Sequence, residues 1–441
     1  MTIRKRGLTG GELERAFDEI RSADADWRSA RTWSLVYSAG DDHDEIIKGA
    51  YTAFFHENGL SPSAFPSLER MEREVVHDLL EHVGADPSSS GGTMASGGTE
   101  SIILAIKAYR DRAESPDANI VVPTTAHPAF IKAGALLGLR VKTVHVDESY
   151  TADADAMSEE IDRNTIALGA SAPAYPYGLV DPIPDLGEIA IEHGIGLHVD
   201  ACLGGIALPF IRKLGRSIPP FDFAVPGVTS ISVDLHKYGF AAKGASAVLY
   251  RDPDLRRHQF TVFTDWPGGA LTSPTLLGTR PGGAIAAAWA ALNHLGDEGY
   301  LRLFGSMMTT VERLVSGFEE IGDLRLIGDP PMTVFAVTSD EKDVFAIADG
   351  LEKRGWRTDR QSRPDSLHHI VTPRHASVVD GYLDDLASAY TEAAPKQPGE
   401  AARTAFYGVN SRVELTQDLE SSLLDDLARR YDVTPGETAA G

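Results

Sequence analysis

Cysteine is almost missing. Cys202 is the only one in 441 residues, which excludes an intrachain disulfide and fits a reducing compartment such as the cytoplasm. Basic residues are the next deficit: 41 Lys and Arg stand against 64 Asp and Glu, a net charge of −23. That balance argues against nucleic acid and anionic membrane as partners and gives a strongly hydrated surface. No run reaches the ~18 apolar residues of a membrane span, and Met1-Thr2-Ile3-Arg4-Lys5-Arg6 leads into polar sequence instead of a signal core. Internal repeats, low-complexity tracts and clusters with metal-ligand spacing are absent too. What is left is a soluble globular chain, long enough for two or three lobes at ~150 residues each.

The stretch that organises the rest is Ser230-Ile231-Ser232-Val233-Asp234-Leu235-His236-Lys237-Tyr238-Gly239-Phe240. A β-branched strand ends there in a turn and delivers one lysine, Lys237. An amine held rigid and partly desolvated loses its proton more easily and can then bond an aldehyde cofactor. Lys243 follows six positions later, so the two amines are expected to share a pocket and lower each other's pKa.

Upstream segments supply matching parts. Ser96-Gly97-Gly98-Thr99-Glu100-Ser101 precedes a helix whose first N–H groups can receive a phosphate, which marks Gly97, Gly98 and Thr99 as its cradle. Around it α/β alternation is expected: strands at 119–123, 140–146 and 166–171, helices at 128–137 and 183–192, with 87–92 as a polar loop. His127 falls at the carboxyl end of a strand, where open α/β sheets bind ligands and a flat ring can stack. Ala172-Pro173-Ala174-Tyr175-Pro176-Tyr177-Gly178 places a phenol, Tyr175, at the next strand end. His198-Val199-Asp200-Ala201 ends a strand on a carboxylate able to pair with a protonated ring nitrogen.

The flanks are legible in outline. Thr9-Gly10-Gly11-Glu12 is a capping box with Leu13, Phe17 and Ile20 behind it at helical spacing. A helix is expected over 68–83, glycine-rich loops at 264–269 and 278–283, and helices over 284–295 and again from Met307. Strands at 332–338 and 368–373 with helices at 344–354 and 378–393 make a small α+β layer. Residues 395–400 read as a linker, Phe406-Tyr407-Gly408 as a docking segment, and 434–441 as a frayed end.

Ser96 to Ser101, His198 to Ala201 and Asp234 to Gly239 together resemble the group II pyridoxal phosphate-dependent decarboxylase family, of fold type I. Lys237-Tyr238-Gly239-Phe240-Ala241-Ala242-Lys243-Gly244, Thr264-Asp265-Trp266 and Arg280-Pro281-Gly282-Gly283 look most like its sphingosine-1-phosphate lyase branch. The resemblance implies an α/β PLP-dependent transferase fold, with a large mainly parallel-sheet domain (68–300) and a smaller C-terminal α+β domain (301–395). An N-terminal arm (1–67) and a C-terminal extension (396–441) flank them. It implies pyridoxal 5'-phosphate, Lys237 as the Schiff-base lysine with His236 beside it, Asp200 on the pyridine nitrogen and His127 stacked on the ring. Gly98 and Thr99 would hold the phosphate, Thr279 would reach in from a second subunit, and the homodimer would share its sites. Tyr37, Asn58, Ser61 and Lys243 fall at the substrate positions, where Ser61 replaces a family histidine and Ser38 another. The expected reaction is retro-aldol cleavage of the Cα–Cβ bond of a β-hydroxy amine, with Tyr175, Lys243 or a cofactor phosphate oxygen as base. Amino-acid decarboxylation and a silent, dimerising paralogue are the alternatives.

Overall fold

The computed structural model describes residues 6–396, 403–406, 409–414 and 419–431. Its centre is a sheet of β1 (Gly91–Ala95), β2 (Asn119–Pro123), β3 (Arg140–Val144), β4 (Thr165–Ser171), β5 (Gly196–Asp200), β6 (Ser230–Val233) and β7 (Ser246–Tyr250), in the order β1-β7-β6-β5-β4-β2-β3. The pairs β2–β3, β2–β4, β4–β5 and β5–β6 are parallel, and β7 alone runs the other way, between β6 and β1. Such strands are covered on both faces, so β2, β4 and β5 read as apolar runs instead of alternating ones. The carboxyl ends of β1, β2, β4, β5 and β6 therefore open on one side, which is where ligands bind in open α/β sheets.

The loop expected at 87–92 ends two residues early, in a strand. Gly91 and Gly92 look like turn residues, yet they belong to β1, whose five residues pair with β7. A Cβ on Gly92 would stand 2.6 Å from Leu249 and 2.8 Å from Val76, so glycine here answers crowding on the sheet, not a bend. The helix expected over 284–295 starts at Gly282 and ends at Gly296, whose backbone is non-helical (φ 54°, ψ −174°); the second helix follows at once, earlier than Met307, and runs to Glu319. The expected glycine-rich loop at 264–269 joins a short hairpin, Thr261–Phe263 with Leu271–Ser273.

A second sheet pairs Arg325–Leu326, Val334–Thr338, Ser366–Ile370 and Asp359–Gln361, all antiparallel. Helices Val344–Lys353 and Val379–Glu392 accompany it. The expected strand at 368–373 starts two residues earlier and stops at Ile370, because Pro373 opens a 3-10 turn. Tyr407, Gly408, 397–400 and 434–441 lie outside the described residues; strands Arg403–Phe406 and Val409–Glu414 pair with each other.

The N-terminal chain binds this second sheet to the first. Helix Gly10–Arg21 has the expected capping box, Thr9 with Glu12, but buries none of its own residues, and Phe17 is 50 % exposed. After it, Trp33 donates its N–H to Arg357 O at 3.1 Å, and its carbonyl accepts from Ile370 N at 2.6 Å. Its buried indole stacks on His375 with centroids 4.3 Å apart. Four residues on, Tyr37 meets Tyr238 edge to face at 5.0 Å, close to Lys237 in sequence.

Two outcomes follow from this packing. Gly92→Ala should cost about 1–3 kcal/mol by overpacking, seen as a lower denaturation midpoint with an unchanged slope. The buried rings of His198 and His375 are pushed down from 6.5 to about 4, and those of His368 and His369 to about 3, all chiefly by burial. The unfolded chain takes up protons below 6.5 that the fold refuses, so stability held above 6.5 should fall as pH drops toward 4. Urea midpoints measured across that window check it; a flat profile would contradict it.

Candidate active site

Lys237 sits in the turn after β6. Asp234, almost wholly buried, places Oδ2 3.0 Å from the Lys237 ammonium and 3.7 Å from His236 Nε2. The turn is pinned from below: Tyr238 donates its hydroxyl to Val371 O at 3.1 Å, and Tyr300 donates to Gly239 O at 2.9 Å. Phe240 closes the turn at φ 54°, an uncommon conformation for a bulky residue, with its N–H on Lys237 O at 2.9 Å. Burial alone would lower the Lys237 amine, but the carboxylates of Asp234 and Asp200, with Cys202 and Tyr37, outweigh it and hold the amine well above the ordinary lysine value. The expectation of a mutual lowering is thus half met. Lys243 is lowered, by burial and then by Lys237, whereas Lys237 is raised because Asp234 is its contact partner.

The walls come from neighbouring strand ends. Asp200 ends β5; its Oδ1 accepts from Cys202 N at 3.1 Å and lies 3.4 Å from the Ser232 hydroxyl. His127 follows β2, and its Nδ1 accepts from Ala129 N at 3.1 Å, which puts the ring proton on Nε2. Burial lowers its pKa, against the pull of Asp200 and Asp234 and with the push of Lys237, so one field joins all four groups. Helix Gly98–Ala113 begins beside them with Gly97 as its N-cap. A Cβ on Gly98 would stand 2.5 Å from Cys202 Sγ and 2.9 Å from Asp234, and one on Gly97 would stand 3.5 Å from the His236 ring. Thr99 is half-buried in the helix's first turn.

This arrangement fits pyridoxal phosphate on its own chemistry. A helix N-terminus bare of side chains can receive a phosphate dianion, a buried carboxylate can keep a ring nitrogen protonated, an imidazole can stack, and an amine can bond the aldehyde. Gly98 must be glycine for the helix to approach Asp234 this closely.

The other expected residues divide. Tyr37 joins the cluster: Lys243 Nζ lies 5.2 Å from its ring centroid. Tyr175 turns to the second sheet, donating its hydroxyl to Asp359 Oδ2 at 3.4 Å and packing on His368 at 4.2 Å. Asn58 lies elsewhere, lining a groove of about 1210 Å³ that Arg256 and Arg280 also line and Lys237 does not. Its side chain accepts from Leu60 N at 3.1 Å, and the Ser61 carbonyl accepts from Ala64 and Phe65 at 3.0 Å each. Thr279 is exposed, on a loop held by Glu100, whose Oε1 accepts from Leu276 N at 2.9 Å and whose Oε2 accepts from the Ser96 hydroxyl at 2.6 Å.

Two residues of weight escaped sequence reasoning. Asp234 stood in the motif without a role, although its i, i+3 spacing to Lys237 across a turn was the signal. Glu100, buried between helix Gly98–Ala113 and the Thr279 loop, carried no signal, since a Glu in a helix's first turn is ordinarily solvated.

Residues 25–337 match the family model for the pyridoxal-dependent decarboxylase conserved domain. The chain is 43% identical to sphingosine-1-phosphate lyase of Arabidopsis thaliana over 89% of this chain and 74% of the relative. It is 36% identical to sphingosine-1-phosphate lyase 1 of Rattus norvegicus over 100% and 79%. Among solved structures it is similar to Burkholderia pseudomallei sphingosine-1-phosphate lyase, with TM-score 0.88, 36% identity and 98% of both chains covered. Lactobacillus brevis glutamate decarboxylase, at 19% identity and TM-score 0.77 over 89% of this chain and 94% of that one, shares the fold.

Gly98→Ala is expected to weaken pyridoxal phosphate binding by about tenfold or more, because the added carbon would strike Cys202 and Asp234 and push the helix N-terminus out of place. Titration of the purified variant by absorbance measures it; unchanged affinity would mean the phosphate binds elsewhere.

Proposed function

The chain belongs to the pyridoxal-dependent decarboxylase family, and from its kinship with the sphingosine-1-phosphate lyases of that family we propose that it is a carbon–carbon lyase acting on a phosphorylated β-hydroxy amine. Bound at this site, pyridoxal phosphate supplies an electron sink for the pair released when a bond to the amine-bearing carbon breaks. Lys237 provides the amine that bonds the aldehyde, Asp200 the negative charge for the ring nitrogen, and His127 a stacking face. Gly97, Gly98 and Thr99 take the cofactor phosphate. The observation that carries the substrate reading is the second amine. Lys243 lies against the face of Tyr37 in the field of Lys237, so a cationic, aromatic-backed spot adjoins the reactive lysine. A phosphate ester answers such a spot with its charge.

Tyr175 is proposed to take the proton of the substrate β-hydroxyl, and Asn58 and Ser61, whose groove in this chain excludes Lys237, to contribute polar contacts to the partner's site. A homodimer is also proposed, with Thr279 serving the partner's site. Its support is the uncovered hairpin next to that loop, where Val262 is 64% and Trp266 56% exposed, apolar side chains that a subunit contact would cover. Among the described residues no helix is long and apolar enough to cross a membrane, and with a single buried cysteine the cytoplasm is the proposed compartment.

A panel of phosphorylated and unphosphorylated β-hydroxy amines beside common amino acids, assayed for aldehyde and carbon dioxide together, tests the reading. Aldehyde from the phosphorylated amines is the expected result, lost by about 100-fold in kcat/KM in Lys243→Ala. Carbon dioxide from amino acids with no aldehyde would replace the lyase by a decarboxylase.

A further inference from the structure

Behind Tyr175 lies a buried polar cluster to which the proposed reaction gives no role. Asp359 and His368 face each other across two strands of the second sheet, and both are buried. Asp359 Oδ2 accepts the Tyr175 hydroxyl at 3.4 Å, while its Oδ1 is buried without a well-formed hydrogen bond. The Ser34 hydroxyl is buried beside the acid and hydrogen-bonds it, and the buried His368 ring bonds the Pro176 carbonyl. Holding a carboxylic acid and an imidazole out of water costs stability, so their burial around one phenol calls for a reason.

Fixing the loop is not that reason. The segment carrying Tyr175 is already locked: Gly178 takes φ 73°, and a Cβ there would stand 1.9 Å from Val334 O. Tyr177 also donates its hydroxyl to Arg363 O. What Asp359 does instead is fix where the Tyr175 proton points. A phenol has one O–H and two lone pairs; with the O–H toward Asp359, the lone pairs face away from the second sheet.

We propose that Asp359 is a positioning residue for the lyase reaction, accepting the Tyr175 hydroxyl proton as the Tyr175 oxygen takes the proton of the substrate β-hydroxyl. This rests on the lyase reading above. The substrate O–H bond breaks and one forms at the Tyr175 oxygen, while the Tyr175 O–H bond breaks and its proton goes to Asp359 Oδ2. The β-oxygen's freed pair makes the aldehyde carbonyl, and the pair of the broken Cα–Cβ bond stays with the amine-bearing carbon. Tyr175 thereby acts as a base without first becoming a phenolate. The groups facing Asp359 are Ser34, Arg357, Tyr175, Arg360 and His368. Burial raises the acid's pKa against the pull of the first four, and His368 stays neutral, so Asp359 holds a received proton more readily than an exposed acid would.

The test uses the holoenzyme with a phosphorylated β-hydroxy amine. Wild-type protein that releases no aldehyde would fail the lyase reading itself. In active enzyme, Asp359→Asn should lower kcat by about 100-fold with KM nearly unchanged, remove the acid limb of the kcat–pH profile, and add no further loss to Tyr175→Phe; Asp359→Glu should restore part of the rate. In protein carrying fluorotyrosine, the fluorine resonance missing from Tyr175→Phe belongs to Tyr175, and its phenol midpoint should fall in Asp359→Asn, because the carboxylate that favours the protonated phenol is gone. Unchanged kcat and acid limb, losses that multiply with Tyr175→Phe, or an unmoved midpoint would each overturn the proposal. Should Asp359→Asn not fold, the wild-type resonance decides: it shifts along the acid limb of kcat, or the proposal is wrong.

Discussion

One amine is held between two carboxylates. Lys237 touches Asp234 at 3.0 Å and feels Asp200 from the adjoining strand. Bringing three charges together out of water is expensive, since each loses several kcal/mol of hydration. The fold meets that cost with position: Asp234 and Asp200 sit at the ends of adjacent parallel strands, β6 and β5, where neighbouring helix N-termini and turn N–H groups surround them. The pair also explains the crowding above it. Gly98 approaches because any side chain would strike Asp234 or Cys202, and the helix it begins aims its positive end at the same spot.

The second sheet acts as the opposite wall. It receives the Tyr238 hydroxyl at Val371, the Trp33 backbone at Arg357 and Ile370, and the Tyr175 loop at Val334 and Asp359. N-terminal segment, Lys237 turn and Tyr175 loop thus converge on a few strands of another layer. Such contacts carry geometry to the site, and Asp359 among them also brings a carboxylate. Arg374 also carries geometry, donating to Ser38 at 3.1 Å and to Asp41 where the N-terminal chain turns into its next helix.

The parallel part of the sheet was legible in the sequence. β2, β4, β5 and β6 are apolar runs bounded by turn residues, and the chemistry follows them at each carboxyl end, so Lys237, Asp200 and His127 could be placed by position alone. β1 was not, because Gly91 and Gly92 signal a turn in any local reading, and only the side chains of Leu249 and Val76 reveal why a strand needs them. The charge on Lys237 was misjudged for a related reason. Desolvation and a neighbouring lysine both argue for a lowered pKa, and a contact with Asp234 across the turn reverses the sign. The cluster of Asp359, His368 and Ser34 was out of reach altogether, since its members lie on separate segments and carry no motif.

The proposed chemistry requires Lys237 to be the residue that bonds the cofactor. Borohydride reduction of the holoenzyme, followed by proteolysis and mass spectrometry of the peptides, tests this most directly. The pyridoxyl group is predicted on the peptide carrying Lys237 and on no other. A label on Lys243 or on a surface lysine, or no stable label at all, would contradict it.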